Sequence, residues 1–108
     1  MTKFVREDGK VAVLISPGFG AGWSTWDHHE DEREENICFD AEVVQWVLDG
    51  KPNAGEFMNA TEERLKTYCG GMRDLTIEWV YPDSKFRIEE YDGSESIHFE
   101  DRANWITA

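Results

Sequence analysis

Hydrophobic residues follow one another without a break near the start of the chain and alternate with polar residues near its end. Residues 11–15 are all apolar, a pattern typical of a strand that is buried on both faces. The preceding Asp8-Gly9 is favoured in type I′ turns. The pattern therefore predicts an N-terminal β-hairpin formed by residues 2–7 and 10–16.

Two segments in the middle of the chain have the spacing of helices. The first is predicted over residues 40–49, where Asp40 can cap the N-terminus and a broad apolar face follows. The second is predicted to start at Asn59 or Thr61 and to run to Cys69, because two glycines follow that cysteine.

The last third of the chain predicts a β-meander. Apolar and polar residues alternate over residues 75–81, 86–91 and 94–99, and turn residues separate the three runs. Together with the N-terminal hairpin, these runs predict an α+β fold with a mainly antiparallel sheet of about five strands. We expect the two helices to cover one face of that sheet, and residues 1–108 to form a single domain.

Counting outward from Asp92-Gly93 predicts the register of the meander. A two-residue turn there places Ile88 opposite Ile97, so that apolar residues match across the pair. Counting back across a four-residue turn likewise places Trp79 opposite Ile88. The face predicted to be core carries eight apolar residues: Leu75, Ile77, Trp79, Tyr81, Phe86, Ile88, Ile97 and Phe99.

Alternating glycines and large aromatic residues occupy residues 18–26, which we call the glycine–aromatic loop. The spacing matches neither a dinucleotide-binding nor a P-loop glycine motif, which excludes those two phosphate sites. Three interpretations remain open: an aromatic plug that closes the core, a ligand pocket, or a contact with another protein. Under the second interpretation, the loop and the polar face of the following hairpin supply the candidate ligand-binding residues, namely Phe19, Gly20, Gly22, Trp23, Ser24, Trp26, Arg87, Glu89 and Tyr91.

The chain carries 23 carboxylates against 11 lysines and arginines, a formal net charge of −12. This charge predicts repulsion from nucleic acid and from anionic membranes, and attraction to a basic protein surface. The densest acidic run supplies the candidate residues for such a partner: Asp27, Glu30, Asp31, Glu32, Glu34 and Glu35.

The sequence predicts an intracellular protein. The N-terminus lacks the apolar segment of a signal peptide, and no apolar run approaches the ~20 residues that a membrane span needs. Cys38 and Cys69 are expected to be buried, reduced thiols. Because the core of so short a chain is small, we also expect a homo-oligomer.

Few residues suggest catalysis. Glu78 and Glu89 are predicted to face each other with His98 nearby, a set that could perform acid–base chemistry or form cross-strand ion pairs. His28-His29 lacks a third spaced ligand, so no metal site is predicted. No nucleophile elbow or cofactor motif is present. The prediction is therefore a binding protein with no cofactor and no catalytic residues.

Three segments together resemble small, acidic accessory proteins of tailed bacteriophages. They are residues 11–26 (VAVLISPGFGAGWSTW), 39–50 (FDAEVVQWVLDG) and 86–97 (FRIEEYDGSESI). The resemblance implies a counter-defence protein of the host bacterial cytoplasm that binds its target stoichiometrically. It implies either sequestration of a nucleotide-derived signal or, alternatively, inhibition of a basic host protein by mimicry of nucleic acid.

Overall fold

The structure is a computed structural model that describes residues 3–18, 22–27, 37–67, 69–82 and 84–99. Its regular elements are β1 (Val11–Ile15), α1 (Ala41–Leu48), α2 (Ala54–Leu65), β2 (Thr76–Val80), β3 (Phe86–Tyr91) and β4 (Ser94–Phe99). Among the described residues, single-turn 3₁₀ helices lie at Ser24–Trp26, Ile37–Phe39 and Met72–Asp74.

The fold is α+β, as predicted, but the strands form two separate sheets. β1 pairs with β2 in one antiparallel sheet, and β3 pairs with β4 in the other. The single sheet of about five strands was wrong. The predicted N-terminal hairpin is present as a single bridge between Val5 and Val11, with three backbone bonds around it: Ala12 N–H to the Phe4 carbonyl, Arg6 N–H to the Lys10 carbonyl and Gly9 N–H to the Arg6 carbonyl, each 2.9 Å long.

The sheet of β1 and β2 is the middle layer of the molecule, because β1 is buried on both faces. Ala12 and Leu14 pack with the helices in one core cluster. Val11, Val13 and Ile15 pack on the opposite side, against apolar residues of the β3–β4 hairpin. The uninterrupted apolar pattern of β1 therefore reflects cover by helices on one face and by a second sheet on the other.

The register within the β3–β4 hairpin is as predicted. Ile88 lies opposite Ile97, and Tyr91 lies opposite Ser94. Asp92 has φ 50° and Gly93 has φ 84°, the left-handed backbone that a type I′ turn requires at both central residues.

The predicted pairing of β2 with β3 was wrong. Trp79 lies opposite Ala12 of β1, and not opposite Ile88. As a result Tyr81, predicted in the core, is 64% exposed, whereas Val80, predicted on the polar face, is 4% exposed. The physical reason is that the hairpin leaves the plane of β2 and folds over the face on which Val80 lies.

Helix α1 has the predicted bounds, but α2 begins earlier than predicted, at Ala54, and ends at Leu65. Phe57, Thr61 and Leu65 recur every four residues, so one face of a helix that starts at Ala54 points inward. Lys66 ends the helix in the left-handed conformation, with φ 56°, before the predicted glycine stop is reached.

Asp40 joins the two helices and is 1% exposed. Its Oδ1 accepts a bond from the Val43 amide at 3.1 Å, which caps α1. The Arg64 guanidinium of α2 donates two bonds to the same carboxylate, at 2.8 and 3.0 Å. Burial lowers the pKa of the Arg64 guanidinium, but the hydrogen bond to Asp40 and the charges of Asp40 and Glu42 outweigh that effect, so the pKa of Arg64 is raised.

Asp40→Asn is expected to reduce the free energy of unfolding by about 1–2 kcal/mol, as measured by urea denaturation. Asparagine retains the cap but loses the charge that pairs with Arg64. Glu63→Gln, at an exposed position of the same helix as Arg64, is the control and should leave the midpoint unchanged. Equal midpoints for the two variants would show that the Asp40–Arg64 pair does not stabilise the helices.

Candidate functional site

A buried carboxylate of β4 holds the glycine–aromatic loop. The Glu95 side chain is 1% exposed, and its Oε1 accepts a bond from the Ser16 amide at 2.8 Å. Its Oε2 accepts from the Trp23 amide at 2.8 Å and from the Thr25 amide and hydroxyl at 3.1 and 2.6 Å. The Glu95 amide in turn donates to the Ser16 carbonyl at 2.8 Å. Four donors therefore surround this carboxylate, and they tie both ends of the loop to the hairpin.

The described part of the loop points into the core. Trp23 is fully buried, among the residues that pack against the helices. A Cβ atom at Gly22 would lie 2.7 Å from Thr25 Oγ1 and 2.8 Å from Trp26 Cδ1, so glycine is required there by the loop's own packing. This is the geometry expected of an aromatic plug, and it keeps the Trp23 ring away from solvent.

A groove of about 650 Å³ lies between the 3₁₀ turn of the loop and the β3–β4 hairpin, and we call it the hairpin groove. Its volume is within the range of small-molecule sites. Its walls combine two cations, three hydroxyl groups and two aromatic rings, supplied by Ser24, Thr25, Cys38, Phe39, Ser84, Lys85, Phe86, Arg87 and Ile88.

The hairpin groove differs in charge from two further cavities, one between α1 and α2 and one on the outer face of the hairpin. Lys85 and Arg87 line it, and none of its described lining residues is a carboxylate. Three carboxylates line the cavity between α1 and α2, and two line the hollow on the outer face of the hairpin. Of these three cavities, the hairpin groove is therefore the one that suits an anion.

Arg87 is available to a ligand in this groove. Its side chain is 76% exposed, and its Nη2 lies 2.9 Å from Glu89 Oε1. An exposed ion pair of this kind contributes little free energy, at most about 1 kcal/mol. Arg87 can therefore exchange Glu89 for an anionic ligand at little cost.

The structure brings together only part of the predicted ligand site. Ser24 and Arg87 both line the hairpin groove. Glu89 and Tyr91 line the hollow on the outer face instead, where Tyr91 is 79% exposed. Gly22, Trp23 and Trp26 belong to the packed loop, as described above. Phe19 and Gly20 lie outside the described residues.

Several groove residues were missed by the sequence analysis. Lys85 and Ser84 belong to the turn before β3, and Phe39 ends the 3₁₀ turn before α1. A cation in the turn next to Arg87 is the signal that could have pointed to Lys85. No pattern could have pointed to Phe39, because its part in the groove depends on how the hairpin folds over β1.

The predicted pair of carboxylates does not form. Glu78 lies opposite Val13 in the β1–β2 sheet, whereas Glu89 belongs to the other sheet. Glu89 Oε2 and Ser96 Oγ lie 2.9 and 3.0 Å from the same atom, His98 Nε2. A catalytic relay needs the carboxylate on one ring nitrogen and the hydroxyl on the other. These side chains therefore form an exposed network that lacks the geometry of a nucleophilic triad.

The acidic candidates fall mostly outside the described residues. Asp27 is described and is 6% exposed, so it does not present its carboxylate to a partner in this conformation. The remaining members are not described: Glu30, Asp31, Glu32, Glu34 and Glu35. Their prediction as a partner surface stays a prediction.

The described residues contain no cluster of three or more histidine, cysteine, aspartate or glutamate side chains suited to a metal ion. His28 and His29 lie outside that part of the chain. Cys38 and Cys69 are both buried, as predicted, and they are not disulfide-bonded. Neither α1 nor α2 is long and apolar enough to cross a membrane, and the same holds for every other helix in the described ranges.

Comparison of the chain with protein-family models, with curated proteins and with solved structures gave no match. The resemblance to phage accessory proteins therefore stays a prediction, and the roles of individual residues rest on the geometry alone.

Proposed function

We propose that the protein binds and sequesters a small, anionic, nucleotide-like ligand in the hairpin groove, without catalysing a reaction. The observation that carries this proposal is the local charge of the groove. A chain of net charge −12 should repel an anion over most of its surface, yet the described lining of this groove presents two cations and no carboxylate.

The groove offers a place for each part of such a ligand. Lys85 and Arg87 can bind a phosphate group, and the Ser84 hydroxyl can donate a further bond. Thr25 Oγ1 already donates to Glu95, so toward a ligand it can only accept.

Two aromatic rings complete the groove. Phe39 and Phe86 meet edge to face, with their centroids 6.2 Å apart, and either ring can pack against a base. Lys3 Nζ lies 4.4 Å from the centroid of the Phe39 ring, although Lys3 does not itself line the groove. The pairing of cations with apolar rings favours a ligand with both a charged and a ring-like part.

The proposal includes the context that the phage resemblance implies. In the host cytoplasm, a stoichiometric binder of this kind would lower the free concentration of a nucleotide-derived defence signal. A homo-oligomer would enlarge the groove at an interface, because so short a chain has little surface with which to enclose a ligand.

Arg87→Gln and Lys85→Gln are each expected to weaken ligand binding at least about tenfold, because each removes one charge-assisted bond to the ligand. Isothermal titration calorimetry against cyclic mononucleotides, cyclic dinucleotides and ADP-ribose measures the change. Arg73→Gln is the matched control, since Arg73 is exposed and lies outside the groove lining.

Native mass spectrometry of protein purified from bacteria complements the titration by reporting oligomeric state and any retained small molecule together. We expect the ligand to be released intact on heating. Release of a cleaved ligand, no binding by any member of the panel, or an equal loss in Arg73→Gln would each contradict the proposal.

A further inference from the structure

A second groove, of about 560 Å³, lies between α1 and α2 and has an aromatic wall. The rings of Trp46 and Phe57 stack there, with centroids 4.9 Å apart and planes inclined by 14°. Trp46 Nε1 donates to the Pro52 carbonyl at 2.8 Å, which fixes the orientation of the indole. The remaining lining residues are all polar or charged: Glu42, Gln45, Asp49, Asn53 and Glu56.

The charged side chains in the described lining of this groove are all carboxylates, and two of them lack a cationic partner among the described residues. Glu42 Oε2 lies 3.0 Å from Arg64 Nε and is therefore partly neutralised. Asp49 accepts a bond from the neutral amide of Gln45 at 2.9 Å. Glu56 forms no ion pair or hydrogen bond with any residue in the described part of the chain. The groove therefore presents net negative charge beside an apolar surface.

The position of Asp49 strengthens this negative potential. Asp49 is the C-cap of α1, and the last turn of that helix contains no basic residue. The helix dipole places partial negative charge at a C-terminus, where a cation is favoured and a carboxylate is not. A cation brought to this end of α1 would interact favourably with the helix and with the Asp49 carboxylate together.

We propose that the groove between α1 and α2 binds an arginine-bearing segment of a partner protein. A guanidinium can bond to a carboxylate in bidentate fashion and pack its plane on an aromatic ring, which matches Asp49 or Glu56 beside Phe57. The apolar stem of the arginine covers the half-buried Phe57 ring.

Charge complementarity selects this occupant over others. Phosphate groups of nucleic acid are repelled by the three carboxylates, whereas a guanidinium is attracted to them. The proposal is independent of the ligand of the hairpin groove, because the two grooves share no lining residue.

The test uses the full chain and a blocked eight-residue peptide that contains three arginines and two leucines. A second peptide carries citrulline in place of arginine, which keeps the shape and removes the charge. Backbone amide shifts in ¹⁵N-resolved NMR spectra report the site and the affinity. We expect shifts at Gln45, Asn53 and Phe57 with the arginine peptide, and binding at least about tenfold weaker with the citrulline peptide.

Charge-neutralising variants locate the interaction. Glu56→Gln and Asp49→Asn are each expected to weaken binding of the arginine peptide about fivefold, with unchanged melting temperatures. Glu63→Gln removes one carboxylate from the same helix outside the groove, and it should leave the affinity unchanged.

Three results would overturn the proposal. Equal binding of the citrulline peptide would make the groove a purely apolar site. An equal loss in Glu63→Gln would show attraction to overall charge alone. Shifts at the groove that depend on protein concentration, without peptide, would identify a second copy of the chain as the occupant.

Discussion

Alanine in place of Glu95 is expected to lower the free energy of unfolding by about 3–5 kcal/mol. The substitution removes the acceptor of three backbone amides and one hydroxyl in a site where Glu95 is 1% exposed. Water cannot replace the lost acceptors without opening the loop. Urea denaturation followed by far-ultraviolet circular dichroism measures the change.

A conservative variant keeps this prediction testable if the alanine protein does not fold. Glu95→Gln retains the size of the side chain and one acceptor oxygen, but it turns an amide donor toward backbone donors. We expect it to cost about 2–3 kcal/mol, less than alanine. Hydrogen exchange should accelerate more than exchange in β1 either at the Ser16 amide, which donates to Oε1, or at the Trp23 and Thr25 amides, which donate to Oε2, because the glutamine nitrogen replaces one of these two oxygens.

Glu78→Ala is the matched control for the Glu95 variants. Glu78 is also a strand glutamate, but it is exposed and has no ion pair or hydrogen bond with the described residues. Its removal should leave the denaturation midpoint unchanged. Similar midpoints for Glu95→Ala and Glu78→Ala would mean that the buried carboxylate does not hold the loop.

Trp23→Ala is the second large effect, with an expected loss of about 3–5 kcal/mol in the free energy of unfolding. The indole is fully buried between β1 and the helices, so alanine would leave a large cavity. Trp23→Phe should cost less, about 1–2 kcal/mol, because the ring volume is partly retained. Trp23 Nε1 has no hydrogen-bond partner among the described residues, so phenylalanine sacrifices no hydrogen bond there.

Tyr91→Ala, at a residue that is 79% exposed, is the control for the Trp23 variants and should not change stability. The opposite outcome is informative about function. If Trp23→Ala folded with normal stability and lost only ligand binding, the glycine–aromatic loop would be a pocket wall and not a plug. The measurement thus separates two interpretations that the sequence leaves open.

Local patterns predicted the local structure. The type I′ turn at Asp92-Gly93 and the Asp40 cap depend on residues only a few positions apart, so the chain between them leaves little freedom. The register of the hairpin follows from the turn for the same reason. The burial of β1 on both faces could be predicted because five consecutive apolar side chains must alternate between two covered surfaces.

Choices among distant partners were not predictable in this way. An alternating strand such as β2 can pair with either neighbour, and its apolar residues fit both arrangements. The start of α2 was missed although Asn53 and Glu56 have the same spacing as Asn59 and Glu62, so the capping pattern fits two starts; in the structure Asn53 enters the helix in a left-handed conformation without a side-chain cap bond. The hairpin groove exists only because β3 and β4 fold over β1 instead of extending its sheet.

Glu95 shows where the two kinds of information divide. By itself, the sequence determines that Glu95 shares a strand face with Ile97 and Phe99, since alternate residues point the same way. That placement is enough to predict a glutamate on the inward face. Only the tertiary structure decides that its carboxylate meets the amides of Ser16, Trp23 and Thr25. Those amides are about seventy residues away along the chain, and no local pattern encodes an approach over that distance.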